Sequence, residues 1–423
     1  MTELYAEGDV LIPNDEVILQ NFDGSRRLNI YNLVRSIDIY ESLTNYTLSA
    51  DIYIAEGIEL INNFPMAGEE RVEITFQTPG RESITYNFLI SKIDAQRSND
   101  AGNLKSYVLR CVTQDLLANS FKKYSKRYKD KKYNEALQEV IGQDLGSSLS
   151  LDVEKTKGEF DFTVNNVRPF QVVDLISERA ISGEGNQSSV FFFFQDNKGY
   201  QFKTLEKLIK ERSAGAEGLQ FFYDTRNRAE DYEKVVNIRN ILTYDTISQG
   251  SSIEKVKSGG MRMVIREFDI RTGEYYNKEE YVNSSDHSKY EKLDGDSDFN
   301  SSAFNNFVTQ MPAVHEMALK DSTRPEMKHN ENIHLKRPFI DKLKNYTMRV
   351  RVYGDTTIRV GDVVTMNLPN ITGAEDSEEQ QKYYSGKYII FNLKHRLDKR
   401  PSGTFEHFMI FEMKKTNILQ SIG

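Results

Sequence analysis

The chain has 423 residues, of which 38% are hydrophobic and 28% are charged, and its formal net charge is −8. This composition supports about two to four folded domains, excludes wholesale disorder, and gives no global electrostatic footprint for nucleic-acid binding. A single cysteine, Cys111, excludes an intrachain disulfide framework and a cysteine-based zinc cluster, and the sequence shows neither a signal-peptide pattern nor the ~18 apolar residues of a membrane span.

The first part of the chain, residues 1–118, is predicted to be β structure. In NYTLSADIYI (residues 45–54), apolar and polar residues alternate, as in a strand that is buried on one face. RVEITFQ, ITYNFLI and SYVLRCV follow the same pattern and are separated by turn-rich segments. We expect a meander or barrel of antiparallel strands, with Cys111 as a small core residue.

The middle part, residues 119–231, is predicted to be a small α/β module. In YNEALQEVIGQDLG, apolar residues recur at helical spacing up to Gly146, which is a suitable helix stop. Pro169 suits the first turn of a second helix, and Thr204 can cap a third.

A run of four phenylalanines lies in this module, in SVFFFFQ (residues 189–195), before the turn residues DNKG. The pattern predicts one arm of a β-hairpin, so that successive side chains point to opposite faces. Phe191 and Phe193 should share one face, and Phe192 and Phe194 the other. One pair should fill the core against the first two helices of the module, and the other should be covered by a neighbouring domain or subunit.

The last part, residues 232–423, returns to β structure and closes with NYTMRVRVY, RVGDVVTMNL, GKYIIFNL and TFEHFMIFEMKK. It carries a long polar insertion at about 275–335, which includes NSSDHSKYEKLDGDSDFNSS and is expected to be extended or mobile.

A faint internal repeat connects the first and last parts. LTNYTLSADIYI begins at Leu43 and LKNYTMRVRVY at Leu343, and both are followed by a strand, a polar turn and another strand. We therefore favour two copies of one β module, an arrangement that suits a ring in which each subunit supplies two equivalent wall segments.

The sequence predicts no catalytic, metal-binding or cofactor-binding residue, and no cofactor. HNENIHLKR lacks the spacing of a zinc motif, and His407 alternates with Phe405 and Met409 as a structural histidine would. DGDSDFN fails as a calcium loop because Phe299 stands where glycine is required. Nucleotide-binding and hydrolase motifs are absent, so we do not expect an enzyme. The histidines considered are His287, His315, His329, His334, His395 and His407.

The strongest local charge signal is KKYSKRYKDKKY (residues 122–133), in which seven cations are interleaved with tyrosines. Three interpretations are open: a solvated loop or helix face, contact with an acidic partner surface, and nucleic-acid binding. The cations are Lys122, Lys123, Lys126, Arg127, Lys129, Lys131 and Lys132.

The closing segment resembles the baseplate hub proteins of contractile-tailed bacteriophages. NYTMRVRVYGDTTIRVGDVVTMNLPN, a loop, and then YYSGKYIIFNLKHRL match that family's succession of G-D-x-V, a proline turn, S-G-x-Y and a final histidine. VRPFQVVDLISERA with SVFFFFQDNKGYQFKTLEKLI is similar to the family's α/β domain. The matching scaffold residues are Gly361, Asp362, Val364, Pro369, Ser385, Gly386, Tyr388 and His395.

The resemblance implies a β-rich, multi-domain α+β fold with two tube-like antiparallel β-barrel modules (1–118 and 232–423) and a small α/β module (119–231). It also implies a homotrimeric, pseudo-hexameric ring in the virion baseplate, made in the host cytoplasm. The expected partners are the tail tube protein, the central spike protein and baseplate wedge proteins. DNA would only pass through the channel, which a net-acidic ring would suit, and no membrane insertion is expected.

Two alternatives accompany this interpretation. The first is the hub of a phage-derived injection machine, either type VI-like or an extracellular contractile system. The second, of a different class, is a tail-associated peptidoglycan hydrolase, which would need acid, base or nucleophile residues converging in a cleft.

Overall fold

The computed structural model describes residues 8–64, 66, 68–98, 104–184, 188–213, 219–223, 238–249, 262–268, 273–282, 309–314, 340, 343, 346–368 and 384–415. Within these residues antiparallel strands predominate, and 14 of them belong to one continuous sheet. None of the helices in the described ranges is long and apolar enough to span a bilayer.

Residues 8–112 form the first β module, and the predicted alternation is present in its strands. Ala50, Ile52 and Ile54 are buried on one face, and Cys111 lies in the same hydrophobic core. Its elements are β1 (Asp9–Val10), a 3₁₀ turn (Pro13–Asp15), β2 (Val17–Gln20), β3 (Arg27–Asn29), β4 (Val34–Ser42), β5 (Ser49–Glu56), α1 (Leu60–Asn63), β6 (Arg71–Gln77), β7 (Ser83–Ser98) and β8 (Lys105–Val112).

Residues 114–213 form the α/β module, and the predicted helix signals act as expected. The first predicted helix continues into a π-helical turn and ends at Gly146, which has φ of 78°. Pro169 begins the second helix, and Thr204 Oγ1 accepts a hydrogen bond from Lys207 N at 3.2 Å. The elements are α2 (Gln114–Phe121), β9 (Tyr124–Lys131), α3 (Tyr133–Glu139) with its π turn (Val140–Leu145), β10 (Leu151–Val153), β11 (Phe160–Val167), α4 (Pro169–Arg179), β12 (Phe191–Asp196), β13 (Gly199–Thr204) and α5 (Leu205–Ser213).

The second β module comprises the described residues from 219 to 415. Two of its strands lie inside the predicted polar insertion. They flank a third strand in a separate three-stranded sheet. The rest of the insertion lies outside the described residues. The strands are β14 (Gln220–Phe222), β15 (Ile241–Gln249), β16 (Arg262–Phe268), β17 (Tyr275–Val282), β18 (Thr309–Val314), β19 (Tyr346–Tyr353), β20 (Val363–Asn367), β21 (Gly386–Lys399) and β22 (Phe405–Lys415).

The faint sequence repeat corresponds to a repeat of strand order. In the first β module the neighbours run β4-β5-β8-β7-β6, and in the second they run β15-β19-β22-β21-β20. A register shift falls between Ile90 and Lys92 in the β7–β8 pair and between Ile390 and Asn392 in the β21–β22 pair. Two copies of one β topology are therefore present, as the fold prediction required.

Each of the three modules has its own hydrophobic core. The first core lies inside the β4–β8 strands, the second inside β15 and β19–β22, and the third between the helices and small sheets of the α/β module. The first core also includes Leu397 and Phe405 of the second module, and the second core includes Leu43 of the first. The cores thus share side chains across the module boundaries.

Candidate functional site

The two β modules meet where β21 pairs with β4, in an antiparallel contact that we call the seam. The pairing runs from Asn392 opposite Ser42 to Asp398 opposite Ser36. The Ser42 hydroxyl also donates a hydrogen bond to Asn392 Oδ1 at 2.5 Å. Because of this pairing, one sheet continues from the first module into the second.

Buried charges connect the α/β module to the second β module next to the seam. Arg359 Nη1 is 3.1 Å from Asp196 Oδ2, at the end of the Phe-containing strand, and Asp196 has no exposed surface. Arg212 Nη1, at the end of α5, is 3.0 Å from Asp362 Oδ1 and donates to the Val360 carbonyl at 2.6 Å. We call Asp196, Arg212, Arg359 and Asp362 the ionic cluster.

The ionic cluster has a structural role and not a reactive one. Burial raises the pKa of Asp196, and Arg359 partly offsets that rise. Burial likewise raises the pKa of Asp362, and Arg212 partly offsets it. Gly361 has φ of +85°, and a Cβ there would lie 3.2 Å from Arg212 Nη1. The G-D pair of the family-like motif thus makes room for the arginine and supplies its carboxylate.

A second buried polar group crosses the seam. His395 Nδ1 on β21 is 3.1 Å from His407 Nε2 on β22, and His395 Nε2 is 3.7 Å from Glu41 Oε1 on β4. Tyr86 donates to the same Glu41 oxygen at 2.9 Å. Burial, with a smaller effect of His395, lowers the pKa of His407 well below its usual value. His407 also occupies the space beside Gly354, where a Cβ would be 1.9 Å from Nδ1.

The four phenylalanines lie on β12, which forms a hairpin with β13. Phe191 and Phe193 belong to the core of the α/β module, which includes side chains of α3 and α4. Phe194 is fully buried in the core of the second β module. Phe192 packs against that same core and makes an edge contact with Phe391 at 5.7 Å between ring centroids. The outward pair is therefore covered by the second β module of the same chain.

The basic stretch is neither a loop nor a helix face. The interpretation that gave it one of those conformations is wrong. Residues Tyr124–Lys131 form β9, which pairs antiparallel with β11. Tyr128 points inward and stacks on Phe162 with 4.7 Å between ring centroids. Tyr124 and Tyr128 lie on the inward face of this strand, whereas Tyr133 begins α3.

Part of the positive charge of the stretch is used inside the module. Lys126 Nζ is 2.6 Å from Glu139 Oε1 and 2.9 Å from Asp144 Oδ1, and Lys131 also pairs with Glu139. The Lys122 ammonium donates to the Leu145 carbonyl at 2.5 Å. The remaining side chains are exposed at the surface, and they are Lys123, Arg127, Lys129 and Lys132.

The other residues of the family-like motif hold the ends of β20 and β21 together. Ser385 Oγ accepts a hydrogen bond from Leu368 N at 3.0 Å, and Gly386 has φ of 119°, which favours glycine. The Tyr388 hydroxyl donates to the Tyr384 carbonyl at 2.7 Å. Pro369 lies outside the described residues.

Sequence reasoning missed Arg212, Arg359 and the carboxylate role of Asp196. In the sequence Arg212 lies in an ordinary polar segment, Arg359 lies between Ile358 and Val360, and Asp196 looked like a turn residue. A buried ion pair between residues far apart in sequence leaves no local signal. Among the described residues no group of three or more His, Cys, Asp or Glu side chains could hold a metal ion.

No protein-family model matches the chain. A probable baseplate hub protein of Vibrio phage KVP40 is 20% identical over 403 residues, which cover 88% of this chain and 88% of that protein. The chain resembles phage baseplate hub proteins. This confirms the family resemblance drawn from the sequence.

The solved structures agree on the fold of this hub-like chain. A tail protein from Neisseria meningitidis MC58 superimposes with a TM-score of 0.56 and 8% identity, over 95% of this chain and 97% of that one. A chain of the Francisella PdpA–VgrG complex gives a TM-score of 0.50 and 11% identity, over 98% of this chain but 59% of that longer one. The fold is thus shared by tail proteins and by a chain that extends beyond it.

Proposed function

We propose that this chain is the structural hub subunit of a contractile phage tail, forming a homotrimeric ring that joins the tail tube to the central spike. The ring would surround part of the DNA channel and would belong to the virion baseplate, after synthesis in the host cytoplasm. The baseplate wedge proteins would bind its outer surface. The similarity to a probable baseplate hub protein, over 88% of both chains, supports this role.

The observation that carries the proposal is the repeated strand order joined at the seam. Each chain holds two β modules of one topology, side by side in a single sheet. Three copies would give six equivalent wall segments, which reconciles a sixfold tube with a threefold spike.

The residues support an assembly role rather than catalysis. The ionic cluster is formed by arginines and carboxylates that neutralise one another, and the two histidines at the seam are fully buried. The sequence relative is named as a baseplate hub protein and the Neisseria neighbour as a tail protein, and neither name states an enzymatic activity, so a tail-associated peptidoglycan hydrolase is the weaker candidate.

The hub of a type VI-like injection machine is the second candidate, because the fold extends over a chain of a PdpA–VgrG complex. That chain is longer than the region shared with this one.

The native mass tests the proposal. Light scattering should give a species near three times 48.9 kDa, and electron micrographs should show a ring with a central hole. A chain that remains monomeric, alone and with its tube and spike proteins added, would contradict it.

A further inference from the structure

The end of α2 and the start of β9 bring an aromatic side chain and a cation to the surface together. Phe121, the last residue of α2, is 80% exposed, the largest exposed fraction among the large hydrophobic residues of the described ranges. Lys123 follows two residues later and is also exposed. Aromatic side chains are enriched in protein interfaces, so this one indicates a surface that another molecule covers.

The outward face of α2 is apolar beyond this single side chain. Leu116 and Ala118 pack against the core of the α/β module, and Asn119 is buried. Leu117 lies four residues before Phe121, and helical spacing places both on the face turned away from that core. No core cluster of the described residues includes either side chain. The two residues therefore form a short apolar strip at the surface.

The start of α4 lies next to this strip and adds a second cation. Phe170 N, in the first turn of α4, donates a hydrogen bond to Asn119 Oδ1 at 2.9 Å. This bond holds the first turn of α4 against the last turn of α2. Arg168, two residues before Phe170, is exposed, so its guanidinium lies at the surface near Phe121.

The strand pairing brings the two cations to the same place. Val167 on β11 pairs with Tyr124 on β9. Lys123 comes directly before this pair and Arg168 directly after it, on antiparallel segments, so the two residues are neighbours. Neither forms an ion pair with another described residue, whereas Lys129, further along β9, is 3.8 Å from Asp130. The positive charge beside Phe121 is therefore not neutralised within the part of the chain that the structure describes.

We propose that Leu117, Phe121, Lys123 and Arg168, which we call the α2 surface, bind an acidic segment of another protein. Carboxylates of that segment would pair with the two cations, and an aliphatic or aromatic side chain between them would cover Phe121. Complementary charge would select the partner, and burial of the apolar strip would supply affinity. The inference goes beyond the proposed ring and does not depend on it.

The placement of aromatic and acidic residues favours a protein partner over nucleic acid. Proteins that bind single-stranded nucleic acid offer several aromatic side chains, on which successive bases stack. Here Tyr124 packs against the module core and Tyr128 is buried, so Phe121 is the one aromatic residue of the α2 surface. Asp130 and Asp161 are exposed among the cations of β9 and would repel a phosphate backbone.

A titration with labelled peptides tests the proposal. The full chain is added to a fluorescein-labelled peptide in which aspartates and glutamates surround a central phenylalanine and leucine, and binding is followed by fluorescence anisotropy. The chain should bind this peptide. A peptide with two serines in the central positions should bind about tenfold more weakly, because it leaves Phe121 uncovered. Binding should also weaken as salt is added.

Variants with matched controls locate the contact. Phe121→Ser and Lys123→Glu should each lower the affinity about tenfold, and both should fold normally because the replaced side chains are exposed. Phe22→Ser replaces an aromatic residue that is 68% exposed on the first β module, and should change the affinity less than about twofold. Lys129→Glu makes the same change of charge about 20 Å further along β9, beyond the screening length of about 8 Å, and should also change it less than about twofold.

Loss of peptide binding in Phe121→Ser and Lys123→Glu, with binding kept in both controls, supports the α2 surface. Failure of the original chain to bind the peptide overturns it, and so do equal losses for Lys123→Glu and Lys129→Glu, which would show a general attraction of charges. Tighter binding of a single-stranded oligothymidylate than of the peptide would assign the surface to nucleic acid instead. A native mass that falls in Phe121→Ser would assign it to a second copy of this chain. The ring itself is judged by the native mass of the original chain, so either proposal can fail while the other stands.

Discussion

Arg212 has three partners on two separate segments of the chain, which makes it the most connected residue of the ionic cluster. Its guanidinium contacts Asp362, lies 3.5 Å from Asp196, and donates to the Val360 carbonyl. An arginine remains charged when buried, and its planar fork presents five donors on separate nitrogens, so it reaches acceptors that the single nitrogen of a lysine ammonium would not reach together. The cluster therefore depends on this residue type at this position.

We expect Arg212→Ala to lower the free energy of unfolding by about 3–5 kcal/mol, because it leaves buried carboxylates without their cation. Arg212→Lys should cost less, since it keeps the charge but loses the fork. Lys210→Ala, at an exposed position of the same helix, is the matched control and should stay within about 0.5 kcal/mol of the original chain. Urea unfolding followed by tyrosine fluorescence measures all three. Equal midpoints for Arg212→Ala and Lys210→Ala would contradict this role of the cluster.

At the scale of the element, some cations of β9 form ion pairs inside the α/β module, and others are exposed at the surface. Lys126 reaches inward to Glu139 and Asp144, whereas the Lys129 side chain is 66% exposed. The basic stretch is thus two groups of residues with different roles. Only the outward group could meet an acidic partner.

We expect Lys126→Gln to lower the free energy of unfolding by about 1–2 kcal/mol, since charge-assisted bonds to two carboxylates are lost from a partly exposed site. Lys129→Gln should change it by no more than about 0.5 kcal/mol. Thermal unfolding of the two variants in parallel makes the comparison. If both variants unfolded at the same temperature as the original chain, the basic strand would be a surface feature throughout.

Many of the helices and strands could be predicted from the sequence. Alternation located β5 and β6, and Gly146, Pro169 and Thr204 marked helix ends as they do in the structure. These features depend on side chains within one or two turns of each other. The predicted conformation of the basic stretch was wrong because its many charges hid the spacing of the tyrosines that face inward.

The seam could not be predicted, because it joins segments about 350 residues apart through backbone hydrogen bonds. Ser42, at the end of β4, and Asn392, in the middle of β21, are ordinary polar residues. Any strand edge can in principle accept any other, so sequence patterns carry little information about which edges meet. The repeated motif was the one available signal. It indicated that the two β modules are equivalent, but not which of their strands are in contact.

At the scale of the whole molecule, the histidine group makes the seam sensitive to acid. His407 is held by β22 and touches His395 on β21, while Glu41 on β4 and Tyr86 on β7 complete the group. Protonation of His407 would place a charge in a site without solvent, beside a second histidine. Both β modules contribute to this site, so its destabilisation affects the joined sheet and not one module alone.

We therefore expect acid to weaken the fold. The pKa of His407 is lower in the folded chain than the value near 6.5 of an unfolded histidine, so the unfolded chain binds this proton more readily. The contribution of His407 is complete above about pH 6.5 and falls below it, by at most ~1.4 kcal/mol per pH unit. His407→Gln, which cannot bind the proton, should reduce this loss between about pH 7.5 and pH 5.5 when denaturant midpoints are compared with those of the original chain. Comparing the change with pH, rather than the stability at one pH, removes the packing cost of the substitution and the contributions of the buried carboxyls, which both chains share. Parallel midpoint curves for the two chains across this range would show that protonation of His407 does not govern the stability of the seam.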